Sequence, residues 1–189
     1  MAIETPRYET IRKDGKFSIR KYSATIRASV IISANDINQA SSTAFGLLAG
    51  YIFGDNKAKG KIPMTAPVAA EQVSEQIPMT APVDTTKTSG RSYKVSFTMP
   101  SKYSMATLPK PNNESVKIEK HPSHTMAVMT FSGYTTDNNI SDKTEQLRYW
   151  AKANGIDILG QPVVSRYDAP WKPGFLRHNE VSFSAKTSQ

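Results

Sequence analysis

The chain carries three histidines, the side chains that most often supply metal ligation or proton transfer near neutral pH. His121 and His124 stand three apart in the turn His121-Pro122-Ser123-His124. Both could reach one metal if that turn closes, but no third ligand is near in sequence, and surface turns commonly carry histidine without such a role. His178 follows a proline-rich loop, where it could coordinate an iron or pair with a neighbouring carboxylate. There is no cysteine, which removes disulfides, thiolate metal sites, cysteine nucleophiles and covalent c-type attachment together. No Gly-x-Ser-x-Gly elbow, His-Glu-x-x-His pair or phosphate-cradling glycine loop occurs. Gly46, Gly50 and Gly54 recur at every fourth position, a weak signal within one helix. The motifs support no enzyme and no dedicated metal site.

The stretch Asp168 to Val181 is the densest in binding chemistry. Pro170 and Pro173 fix their own φ and push the preceding residues toward extended geometry, so Trp171 and Lys172 are presented on a stiff arm. Gly174 allows a turn, Phe175 and Leu176 add apolar surface, and Arg177 and His178 lead into a strand. Two readings stand: a crossover with Trp171 packed in the core, or a basic aromatic rim suited to an apolar ligand with acidic tails.

The elements that must hold this loop follow from periodicity. Tyr8–Arg12, Phe17–Tyr22 and Thr25–Ile32 read as strands, with a hairpin turn at Asp14-Gly15. A helix from about Asp36 to Phe53 places Ile37, Ala40, Ala44, Leu47, Leu48 and Tyr51 on one face. Phe45, Ala49, Ile52 and Phe53 widen the apolar arc, so this helix touches covering loops or forms a groove wall. Ile62–Val68 and Ile77–Val83 are identical heptapeptides, read as edge strands or loop arms flanking an Ala69-to-Gln76 hairpin. Asp84–Arg91 reads as a loop dividing the chain near residue 90. Tyr93–Met99 is a strand, Val116–Lys120 and Thr125–Phe131 are predicted to pair as a hairpin, and a second helix starts near Asp137, with Gly155 past its end. Strands at about 158–167 and 180–185 close the chain. Two strand–helix–strand halves, about 1–90 and 91–189, predict an α+β fold: an antiparallel sheet curved toward a barrel with a helix outside each half.

Composition sets the outer bounds. A chain of 189 residues, 38% hydrophobic and 21% charged, describes one soluble globular domain. No apolar run approaches the roughly 20 residues that cross a bilayer, and Met1 to Arg7 holds no secretory signal. A cytoplasmic location fits the lack of cysteine. The net charge of +8 favours anionic partners, yet the basic residues are scattered rather than striped, which argues against nucleic acid.

The order Arg166-Tyr-Asp-x-Pro-Trp-x-Pro173 ahead of Asn179-Glu-Val181 resembles the C-terminal motif of the SOUL family of haem-binding proteins. The likeness extends over nearly the whole chain: Glu4-Thr-Pro-x-Tyr8, Phe17-x-Ile-Arg-x-Tyr22, Leu48-Ala-Gly-Tyr-Ile-Phe-Gly-x-Asn56, Met64-Thr-Ala-Pro-Val68, Phe97-x-Met-Pro100, Leu108-Pro and Phe131-Ser-Gly133. The resemblance implies a distorted antiparallel β-barrel flanked by two helices, and non-covalent binding of haem or another tetrapyrrole. It also implies that the ligand lies against an exposed side of the first helix, near the C-terminal loop. Carried over, that side holds Ser42, Ala49 and Gly50, with Phe45 and Phe53 beside them and Trp171, Lys172 and Arg177 in the loop. His178 is the candidate axial ligand. Where relatives place basic residues this chain has Ser42 and Gly50, so Arg177, Lys57 and Lys59 are the alternative propionate partners. Binding of a different apolar ligand, as in effector-binding domains of similar architecture, is the competing expectation.

Overall fold

A computed structural model describes residues 3–59 and 74–186. Nine strands form one antiparallel sheet: β1 (Tyr8–Asp14), β2 (Phe17–Tyr22), β3 (Thr25–Ser33), β5 (Val83–Ser89), β6 (Ser92–Thr98), β8 (Lys117–His121), β9 (His124–Phe131), β10 (Asp157–Arg166) and β11 (Asn179–Lys186). The order is β1-β2-β9-β11-β10-β5-β6-β3-β8. Two short strands, β4 (Asn56–Lys57) and β7 (Lys110–Pro111), pair separately. The helices are α1 (Ile37–Ile52) and α2 (Asp137–Ala153).

Alternation along the strands decides which face meets which helix. Ala28, Val30, Val95 and Phe97 point outward from the curve and pack against Ala44, Leu48, Tyr51 and Ile52 of α1. Ile19, Ala127, Met129, Val181 and Phe183 do the same for Leu147, Trp150 and Ala151 of α2. Trp150, unmarked by the sequence reading, stacks on Phe17 at 5.0 Å and donates to Asp14 at 2.7 Å. The opposite face is polar, and it curls in upon itself. β8 and β9 lie six strand steps apart in the sheet, roughly 29 Å if flat at ~4.8 Å per step. Yet the His121 and His124 rings are 4.3 Å apart. The sheet is strongly curved but not closed, with β1 and β8 as its edges, so the expected barrel closure is not formed.

Two other expectations are corrected. Asp84–Arg91 is not a loop: its threonines build β5, which pairs with β6 and β10 and is polar on both faces, with Asp84 buried inward and Thr85 buried against Ser41 of α1. The proposed boundary near residue 90 therefore falls in the β5–β6 turn, at Gly90 with φ +50°. β8 and β9 do not form a hairpin either. A link of two residues, Pro122-Ser123, sends β8 to β3 and β9 to β2 and β11. The link Ser23-Ala24 separates β2 from β3 in the same way. The first heptapeptide, Ile62–Val68, lies outside the described residues, as does most of the Ala69-to-Gln76 hairpin. The second is an extended arm whose Ile77 is buried against α1 and whose Thr80 bridges Glu4.

The first helix begins where Asp36 allows it. One carboxylate oxygen accepts from the backbone N–H groups of Asn38 and Gln39 at 2.9 and 2.8 Å. Asp36→Ala removes both bonds and should lower stability by about 1 kcal/mol in urea unfolding. A loss under ~0.3 kcal/mol would show that packing alone sets this helix end.

Candidate functional site

The outward side of α1 is a strip of small residues. Ser42, Gly46, Ala49 and Gly50 lie along it, with Phe45 and Phe53 at its sides, 39% and 57% exposed. A Cβ added at Gly46 would meet nothing within 4 Å. The strip runs ~16 Å from Ser42 to Phe53 at 1.5 Å per residue. The resemblance named Ser42, Ala49 and Gly50 on this side of the helix, and Gly46, which it did not name, lies on the same side.

Arg166, two residues before the loop from Asp168 to Arg177, reaches the first turns of α1, and the loop itself bonds Gly133 and lies against Tyr134. The Arg166 guanidinium donates to Asn38 at 3.1 Å and to Ser41, and also to Thr135 at 2.8 Å. Trp171 is 86% exposed, so it is not a core residue, and Phe175 and Leu176 are exposed beside it. The loop's cations are partly engaged. Lys172 donates to Asp168 at 2.6 Å. Arg177 donates to the carbonyls of Lys172 and Pro170 and lies 4.8 Å over the Tyr134 ring. At the other end of the strip, Lys57 and Lys110 face each other across β4 and β7, while Lys59 donates to the Met105 carbonyl at 2.9 Å.

His178 is not brought to this strip. Its ring packs on Tyr167 at 4.5 Å and pairs with Glu180 at 3.0 Å. Tyr167 follows Arg166 and so has opposite parity: Arg166 reaches α1, whereas Tyr167 points to the inner face. His178 belongs there.

That inner face holds a polar network that sequence reasoning missed. Arg20 and Glu180 form a buried ion pair at 2.9 Å, with side chains 9% and 4% exposed. Tyr167 donates to the second Glu180 oxygen at 3.0 Å, and Arg20 also donates to Ser18 and Tyr22. Burial alone would raise the Glu180 pKa, but His178 and Arg20 together hold it below the usual carboxylate value. Farther along, Arg27 meets Asp84 at 3.4 Å, and Ser165 donates to Asp84 at 2.6 Å. Burial wins at Asp84, raising its pKa against the pull of Arg27 and Ser165. Alternating charged residues such as Arg20 and Arg27 were the available signal, and it was indistinguishable from a solvated strand face.

His121 and His124 also line this face. Their rings meet edge to face, and His124 Nδ1 bonds the Pro122 carbonyl at 2.9 Å. Burial, then the charge of Arg27, pushes the His121 pKa down to about 4, and His124 is lowered too, first by burial. The unfolded chain then binds protons that the folded chain refuses, so these groups add stability as pH rises from about 4 to about 6.5. The double variant His121→Gln/His124→Gln should flatten the rise in urea-unfolding stability over that window. An unchanged slope would contradict the assignment.

The SOUL heme-binding protein family model matches residues 3–184. Heme-binding protein 2 of Homo sapiens is 30% identical over 186 residues, covering 95% of this chain and 85% of its own. Heme-binding protein 1 of Xenopus laevis is 29% identical over 175 residues, covering 90% and 85%. Among solved structures, the C-terminal domain of EcmrR superposes with a TM-score of 0.57 at 14% identity, over 96% of this chain and 99% of that one, a likeness of fold. No described helix is long and apolar enough to cross a membrane. The motif at the C-terminal loop, the family match across residues 3–184 and the relatives at 29–30% identity agree: this chain belongs to the SOUL heme-binding protein family.

Proposed function

We propose that this single-domain protein binds haem or a related tetrapyrrole non-covalently on the outward strip of α1, acting as a cytoplasmic carrier, buffer or sensor and not as an enzyme. The observation that carries the reading is the strip itself. Small residues flanked by Phe45 and Phe53 leave a shallow apolar track, and open space lies over Gly46. A flat aromatic ligand gains most from such a surface, since burial of apolar area supplies the affinity and a few polar groups fix orientation. The residues fit a tetrapyrrole face. Ser42, Gly46, Ala49 and Gly50 would lie under the ring, and Trp171 would close one edge. Lys57 and Lys110 at one end, and Lys172 and Arg177 at the other, would meet its carboxylates. When bound, haem supplies redox-active iron and a Soret chromophore.

On this reading the protein holds haem by its face and edges, without a histidine on iron. Ser42, Phe45, Gly46, Ala49, Gly50 and Phe53 include no iron ligand, and His178 lies on the inner face of the sheet. His178→Ala should therefore leave the haemin Soret position and affinity within about twofold of wild type. A shift of the band, or a tenfold loss of affinity, would restore His178 as the axial ligand.

A further inference from the structure

A cavity of about 800 Å³ opens where the sheet curls over, and none of its lining residues belongs to α1. Its walls come from the segment before β1, the Ser23-Ala24 link, the start of β3, the end of β6 with the turn after it, and the end of β8. Its size lies within the roughly 300–1,000 Å³ typical of small-molecule sites. Ile26, Met99, Pro100 and Met105 make the wall predominantly apolar.

The polar groups at this cavity are unusual in being unspent. Among the described residues, five buried side-chain atoms have no hydrogen-bond partner. Three of them, Thr25 Oγ1, Thr98 Oγ1 and His121 Nδ1, belong to residues lining this one cavity, with the atoms themselves covered by protein just behind its wall. A fourth, Arg27 Nε, belongs to a neighbouring pocket of about 100 Å³ that shares His121 and Pro6 with it. An unpaired buried polar group costs about 1–3 kcal/mol, so such groups seldom gather without a use. The side chains face inward by strand parity: Thr25 and Arg27 alternate with Ile26 and Ala28, and Thr98 follows Phe97, which packs toward α1.

Charge narrows the class of ligand. Arg7 and Lys120, both exposed, are among its lining residues, and Arg27 lines the neighbouring pocket that shares His121. The one carboxylate among the lining residues, Glu4, already accepts the Ser101 N–H at 2.9 Å. His121 is held neutral at pH 7, so it offers a hydrogen bond without adding charge.

We propose that this cavity is a second ligand site, for an apolar carboxylic acid whose head group lies beside Arg7 and Lys120 and draws the covered polar atoms of Thr25, Thr98 and His121 round to meet it. A porphyrin is also an apolar carboxylic acid, so the test must separate the two sources. Dodecanoate, below its micellar concentration, is titrated calorimetrically into wild type, Thr25→Val/Thr98→Val and Ala24→Trp, and haemin is titrated into the same proteins. The valines keep shape and remove hydroxyls, and tryptophan on the exposed link fills the mouth. The proposal expects one saturable dodecanoate site in wild type, at least a tenfold loss in both variants, haemin affinity within twofold throughout, and a ¹⁵N shift change at the His121 ring. Should the valine pair fail to fold, Ala24→Trp decides alone. Absence of saturable dodecanoate binding, or binding unchanged by Ala24→Trp, overturns the proposal. Parallel loss of haemin also overturns it, because the cavity would then be the tetrapyrrole's own.

Discussion

Arg20→Met destabilises the protein by roughly 3–5 kcal/mol, the loss expected when one partner of a buried ion pair is removed. Methionine fills much of the arginine stem's volume, so the loss comes from charge and not from a void. Glu180 stays behind at 4% side-chain exposure, with the Tyr167 hydroxyl and His178 as its remaining partners. The double variant Arg20→Met/Glu180→Leu should recover most of that loss, because removing both charges removes the unpaired one. The pH dependence has a definite sign. In wild type the folded Glu180 pKa lies below its ordinary value, so the pair's contribution is complete above the usual carboxylate range and is lost as pH falls. In Arg20→Met that depression weakens and burial favours the protonated acid. The gap between the two proteins, read from urea unfolding, should therefore narrow from pH 7 to pH 4.5. A constant gap would mean that Arg20 acts through packing alone.

Gly46→Glu should weaken haemin binding at least tenfold, about 1.4 kcal/mol, while leaving the fold intact. The position has open space around its Cβ, and glutamate is a better helix residue than glycine by roughly 0.5–1 kcal/mol, so stability should hold or rise. The new carboxylate would stand in the middle of the strip, where it adds bulk under the ring and repels the ligand's acidic tails. Unchanged haemin affinity in a folded Gly46→Glu protein would move the site off α1.

These two predictions draw on faces that differed in how far the sequence exposed them. The buried side of α1 was legible because its apolar spacing is helical and uninterrupted, and Asp36 marks its start. The strands of β3 and β6 were legible because Val30, Val95 and Phe97 alternate with polar residues. What periodicity could not say is where the polar side goes. Arg20, Asp84 and Glu180 look like solvent-facing residues until the curl of the sheet encloses them. β5 was hidden because both of its faces are polar, Asp84 inward and Thr85 against Ser41 of α1, so it read as a loop. The crossing of β8 and β9 was also invisible, since a short link with proline suits a hairpin as well as a change of partner. At the candidate site, the motif in the C-terminal loop located Trp171 and Lys172, but nothing in it showed that Lys172 is already paired with Asp168. Nor did it show that His178, one residue beyond Arg177, turns to the other face.

The most direct test of the tetrapyrrole reading is a haemin titration of the purified protein, followed at the Soret band, with an apolar non-porphyrin dye in parallel. The account predicts a saturable, red-shifted band that reaches its limit at one haem per chain. Weak, unsaturable broadening, with saturable binding of the dye, would contradict it and leave a SOUL fold whose ligand is not haem.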